Sequence, residues 1–217
     1  MNIYEKNKWV VVKNFIDKNF AKFLYDYVKN ESIRLDTLQQ IHGVDNMGVS
    51  GVSDEFGTFD DGQIQNAFSK YGDLVFDTLL QISTKKAEMA TGLSLQPHYS
   101  YHRLYVEGNE LVKHKDRPSC AVSATIFLGS NSNVDWPMYL EDTNKNIQEI
   151  NLNEGDALFY DGEKLTHWRD EFKGLNHAQV FLHYTDKTKN LENIINDGRP
   201  CLGLIGKYKD SKYRLIY

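Results

Sequence analysis

"ELVKHKDRPSCAVSATIFL", residues 110–128, sets His114 and Asp116 one residue apart, where a polar stretch gives way to an apolar, β-branched run. In an extended chain, residues i and i+2 point to the same face, so an imidazole and a carboxylate aim at one point while Lys115 faces away. Two such groups form two corners of a metal site. An HxD also arises by chance in a chain with seven histidines, so a third corner has to carry the reading.

That corner lies downstream, in "NEGDALFYDGEKLTHWRDEFKG", residues 153–174. A turn at Glu154 and Gly155 leads into an apolar strand, Ala157 to Tyr160; a polar turn at Asp161 and Gly162 then leads to His167 on the next run. Two histidines and one carboxylate leave three coordination positions open on one side, the arrangement by which non-haem Fe(II) oxygenases take a bidentate co-substrate together with O₂.

The flanking sequence supplies a scaffold. Residues 98–106, 120–128, 136–140, 147–152, 156–160, 165–169 and 178–184 are short aromatic or β-branched runs separated by Gly, Asn, Asp and Pro, the spacing of an all-β fold. Before them, KWVVVK (8–13) reads as a strand and the segment after Asp17 as a helix, with Asp17 as N-cap and Phe20, Phe23, Leu24, Tyr27 and Val28 at helical spacing. A second amphipathic helix is expected from about Gln63 to Met89, with Ile64, Phe68, Tyr71, Val75 and Leu79 on one stripe and Gly92 just past its end. The Gly- and Asp-rich segment 41–62, with Gly43, Gly48, Gly51 and Gly57, reads as a long loop and an expected lid.

The expected fold is therefore mainly β with N-terminal helices: a jelly roll, or double-stranded β-helix of cupin-like form, braced by two or more helices. One domain is expected over 1–217, with N-terminal support in 1–95, the metal-binding core in 96–186 and a C-terminal extension in 187–217. A formal charge of -5 argues against nucleic acid or an anionic membrane as partner. Two cysteines without a CxxC, no signal-peptide pattern and no long apolar run fit a soluble, cytoplasmic protein.

With these residues in place, the sequence resembles the 2-oxoglutarate and Fe(II)-dependent dioxygenases, in particular the prolyl 4-hydroxylase-like branch. The likeness covers roughly residues 98–184 and, more weakly, WVVVKNFIDKNFAKFL near the start. It implies a double-stranded β-helix with His114, Asp116 and His167 as iron ligands and catalytic centre, and Tyr105 as a contact to the co-substrate. It also implies oxidative decarboxylation of 2-oxoglutarate coupled to hydroxylation of an unactivated C–H, with ascorbate as a candidate reductant. The implied substrate is a peptidyl or free amino-acid side chain or another small molecule, prolyl first.

One departure from the family pattern stands out. The Arg or Lys that usually follows the distal His on the next strand, to meet the far carboxylate of 2-oxoglutarate, is His177 here. A buried dicarboxylate needs a cation or several donors. Arg169 is the favoured replacement, with His177 or Gln179 in support; Lys173 and Arg103 are the other candidates, and a surface ion pair of Arg169 with Asp170 or Glu171 is the structural alternative. Solvated or interstrand roles are the default for His98, His102 and His183, and Trp136 and Trp168 read as core or cleft wall. Two rival functions remain: a cupin-like metalloprotein that does not use 2-oxoglutarate, and a non-enzymatic jelly-roll binding protein.

Overall fold

The computed structural model describes residues 2–43, 55–189 and 192–209. Among the described residues, three α-helices and eleven strands follow in the order α1 (Ile3–Asn7), β1 (Trp9–Val12), α2 (Lys18–His42), β2 (Thr58–Asp60), β3 (Gln65–Tyr71), α3 (Leu74–Thr91), β4 (Leu95–Val106), β5 (Leu111–His114), β6 (Val122–Ser130), β7 (Met138–Glu141), β8 (Ile147–Ile150), β9 (Ala157–Tyr160), β10 (His167–Arg169) and β11 (Asn176–Asp186). The strands form two antiparallel sheets, one of seven in the order β1-β9-β6-β11-β4-β3-β2 and one of four in the order β5-β10-β7-β8.

Period-two alternation divides the long strands between two tasks. On β11, Ala178, Val180, Leu182 and Tyr184 join Leu104 of β4 and Ala124 and Ile126 of β6 in the core beneath the helices. The odd-numbered residues of β11 face the smaller sheet, where His177 meets Trp136 edge-on. The site is therefore built on the inner faces of both sheets, and the helices stiffen the large sheet from behind.

Asp17 caps α2 by accepting from the backbone N–H of Asn19 and Phe20. The helix buries Ala21, Leu24, Val28 and Leu35, each worth roughly 1.5–3 kcal/mol for the larger side chains. Phe20 and Phe23, expected on the apolar stripe, are instead exposed. The stripe is rotated because the chain reaches the sheet through Ala21 and Tyr25; Gly129 of β6 packs directly under the Tyr25 ring.

The expected helix over 63–89 is corrected. Residues 65–71 are strand β3, paired with β4 from Phe68↔Leu104 to Tyr71↔Tyr101, and the helix begins only at Leu74 behind the N-cap Asp73. Gly72 makes the break: its φ of +66 is left-handed, and a Cβ there would overlap Arg199 and the Leu204 carbonyl. The C-terminal boundary matches the expectation, with Gly92 closing α3 in a left-handed cap. Of the expected loop 41–62, residues 44–54 lie outside the described residues, while Thr58–Asp60 form β2. Among the described residues, no helix is long and apolar enough to cross a membrane.

Candidate metal centre

β5 ends at His114 and β10 begins at His167, and the two histidines are direct partners across the ladder. Asp116 stands just beyond the end of β5 rather than in it. Its backbone N–H donates to the Gly162 carbonyl at 2.8 Å, which folds the carboxylate back toward the imidazoles. Gly162 is required by this approach, since a Cβ would overlap both Asp116 and the Cys120 carbonyl.

The Nδ1 of His114 lies 2.8 Å from the Val112 carbonyl, and that of His167 lies 3.0 Å from the Leu165 carbonyl. A carbonyl can only accept, so each Nδ1 carries a proton, which leaves Nε2 as the atom each ring can offer to a metal. Both Nε2 atoms face one oxygen, Asp116 Oδ1, at 3.7 and 3.5 Å. The three ligand atoms lie within 4.8 Å of one another. Two imidazoles anchored through Nδ1 on backbone carbonyls and one carboxylate form a donor set that fits a divalent transition metal.

Electrostatics prepare the same state. Burial, then the neighbouring His167, pushes the His114 imidazole below its ordinary range and keeps it neutral. Burial would raise the Asp116 carboxyl, but His167, His183 and the Ser123 hydroxyl outweigh it and hold the group ionised. Ser123 Oγ donates to Asp116 Oδ2 at 3.0 Å and lies 3.0 Å from His183 Nδ1. His183, expected to be solvated or interstrand, is thus buried beside the site. The other two histidines are also buried: His98 bonds Thr185 across the β4–β11 pair, and His102 lies between Phe68 and Phe76.

A cavity of about 390 Å³ opens over the three ligands and is lined by Tyr105 and Arg103 among others. Tyr105 is fully buried, and its hydroxyl accepts from Arg103 Nη1 at 3.2 Å. Arg103 is already neutralised by an ion pair with Asp61, whose carboxylate also accepts from the Tyr101 hydroxyl. Gln63, beside Asp61, lies 3.5 Å from His114 Nε2. Asp61 and Gln63 carried no sequence signal, because a loop residue's reach into a site leaves no periodicity.

Arg169 lies on β10 two residues beyond His167, only 3% exposed, over the Trp136 ring at 4.7 Å. It donates to the Trp136 carbonyl and to Gln179, whose amide also accepts from His177 Nε2 at 2.7 Å and donates to Thr125. Among the described residues no carboxylate pairs with Arg169, which removes the alternative of an ion pair with Asp170 or Glu171. Burial brings its guanidinium down to about 10, and the hydroxyls of Tyr105 and Tyr160 offset part of that cost. Arg169, His177 and Gln179 border a second cavity of about 250 Å³, while Tyr105 and Tyr160 line the first. Lys173 is exposed and paired with Glu171, away from both cavities.

No protein-family model matches the sequence, and no curated protein matches it. Solved structures do. A prolyl-4-hydroxylase from Pseudomonas putida superposes with a TM-score of 0.63 at 9% identity, covering 84% of this chain and 95% of that one. This chain has the fold of the 2-oxoglutarate and Fe(II) oxygenases, prolyl 4-hydroxylase-like branch included. A Trichoplax adhaerens prolyl hydroxylase in complex with a hypoxia inducible factor peptide gives 0.58 at 12% identity, covering 86% of this chain and 87% of that one. HygX from Streptomyces hygroscopicus, with nickel and 2-oxoglutarate bound, gives 0.55 at 13% identity and 85% coverage of both chains.

Proposed function

We propose that the chain is an Fe(II)- and 2-oxoglutarate-dependent dioxygenase that hydroxylates an unactivated C–H of an amino-acid or peptidyl substrate, its two sheets being the halves of a double-stranded β-helix. His114, Asp116 and His167 hold the metal, and Arg169 receives the far carboxylate of 2-oxoglutarate with Tyr105 beside it. Oxidising power in such a site comes from iron(II) acting with 2-oxoglutarate and O₂. The chain's own part is to fix the imidazole tautomers through Val112 and Leu165, to orient Asp116 through Ser123 and Gly162, and to keep the floor of the cavity dry with Tyr105, Leu111 and Tyr160.

The observation that carries this reading is Arg169. A guanidinium buried without a carboxylate is costly, and the cost is removed when an anion reaches it. Arg103 has its counter-ion in Asp61, so it is the weaker candidate. The test is calorimetric titration of 2-oxoglutarate into the Fe(II)-loaded protein without O₂. One equivalent per chain is expected, with binding lost in Arg169→Met. Tight metal binding without 2-oxoglutarate binding would favour the cupin-like metalloprotein instead. The prolyl-hydroxylase neighbours support prolyl as the first substrate to try.

A further inference from the structure

The mouth of the main cavity carries charge that neither the metal nor 2-oxoglutarate uses. Among the described residues lining it, Arg103, Lys115, Arg117 and Lys209 are lysines or arginines, and only Asp61 and Asp116 carry a carboxylate. Asp61 is taken by Arg103, and Asp116 faces the two imidazoles. What remains at the mouth is Lys115, Arg117 and Lys209. This local excess stands out in a chain whose formal charge is -5.

Arg117 and Lys209 are not loose surface cations. Both meet the same oxygen, Asp197 Oδ2, at 3.3 and 2.6 Å, and the Tyr71 hydroxyl donates to it at 2.6 Å. The Arg117 guanidinium lies 5.2 Å from the Tyr99 ring centre and Lys209 Nζ 4.9 Å from that of Tyr71, while the two rings pack at 4.8 Å. One carboxylate therefore holds two cations side by side over an aromatic pair and neutralises only one of them.

The holder is itself fixed. Asp197 has a φ of 57, next to Asn196 at 53, a left-handed backbone that persists only where its surroundings enforce it. Arg199, fully buried and paired with Asp77 of α3 at 2.8 Å, donates to the His98 and Leu204 carbonyls and pins the segment to the sheet. The chain thus spends a buried ion pair and a strained turn on presenting Arg117 and Lys209 at the mouth.

We infer that the substrate is a small molecule bearing an oxyanion, carboxylate or phosphate, which Arg117 and Lys209 hold while its apolar part lies against Tyr101 and Phe181 toward the metal. This rests on the oxygenase reading and names the substrate class for it. Arg117 and Lys209 line the same cavity as His114, Asp116 and His167, so an anion bound there shares that cavity with the metal position. Tyr101 and Phe181, with ring centres 6.4 Å apart, line that cavity and give it an aromatic wall.

The test uses three probes of one shape, benzoate, phenyl phosphate and benzamide, titrated by NMR into the Zn(II)-loaded protein saturated with 2-oxoglutarate. At least one of the two anions should bind ten-fold or more tighter than benzamide, and which one does identifies the oxyanion. In Arg117→Met and Lys209→Met, both exposed enough to leave the fold intact, that preference should fall to within two-fold. Equal binding of anion and amide, no binding of either anion, or a preference that survives both substitutions would overturn the inference. A separate 2-oxoglutarate titration reports on the oxygenase reading: were it to fail, the same probes applied to the Zn(II)-loaded protein alone, with the same variants, would still decide the inference about Arg117 and Lys209.

Discussion

His114 and His167 are cross-strand partners in the β5–β10 ladder, with ring centres 4.3 Å apart and both Nδ1 atoms turned to backbone carbonyls. Register, rather than sequence proximity, brings the second imidazole to the first. A one-residue slip of β10 would carry His167 to the opposite face and dismantle the donor set. Substituting His114 or Asp116 by Ala should therefore abolish Fe(II) binding, measured as one metal per chain in the wild type, while circular dichroism stays unchanged because neither side chain is core packing. Metal content equal to wild type in both variants would refute the assignment.

Gly162 gives a prediction outside the ligands. A methyl group there overlaps Asp116 and the Cys120 carbonyl, so the backbone that aims the carboxylate must move. Gly162→Ala should weaken metal binding by about 10–100-fold, the usual penalty for disturbing the groups that orient a ligand. Competition with a chromophoric chelator measures this, and an affinity within two-fold of wild type would show that the Asp116 loop adapts freely.

Much of this site was legible in the sequence because its parts obey local rules. HxD at a strand mouth, a turn and an apolar strand before His167, and Arg169 at i+2 from His167 all follow from period-two geometry, and the structure brings His114, Asp116 and His167 together. The segment 63–71 misled because Ile64, Phe68 and Tyr71 fit a helical stripe as well as a strand, and the left-handed Gly72 that separates β3 from α3 is a matter of tertiary contact with Arg199 and Leu204. Asp61 and Lys209, which line the cavity, and Asp197, which holds Lys209, were invisible for a related reason: each sits on a segment whose placement depends on partners distant in sequence. His183 was recoverable, since it shares the inward face of β11 with His177 and Gln179.

Arg169 links stability to ligand binding with a definite sign. Without an anion its buried charge is uncompensated, so Arg169→Met should leave the ligand-free protein no less stable, and 2-oxoglutarate should raise the melting temperature of the metal-loaded wild type only. Loss of a buried charge pair of this kind costs about 2–5 kcal/mol, a fall in 2-oxoglutarate affinity of about 30-fold to several thousand-fold. Differential scanning fluorimetry with and without 2-oxoglutarate reads both effects. An equal thermal shift in wild type and variant would move the far carboxylate to another residue.

His98 sets part of the acid limit of the fold. It is fully buried, its Nε2 lies 2.7 Å from Thr185 Oγ1, its Nδ1 has no partner among the described residues, and burial drives the imidazole down to about 4. The unfolded chain binds this proton near the ordinary histidine value of about 6.5, so between those two values the unfolded state holds more protons than the folded one. Stability from this residue is complete above about 6.5 and is lost as pH falls toward 4, a loss of about 3 kcal/mol for a shift of that size. His114, also held below its ordinary range by burial, acts in the same direction. Urea unfolding of the metal-free protein at pH 7 and pH 4 should show the decline, and His98→Gln, which keeps a donor for Thr185 but has no proton to gain, should reduce it by a comparable amount. An unchanged decline in His98→Gln would assign the acid sensitivity to other groups.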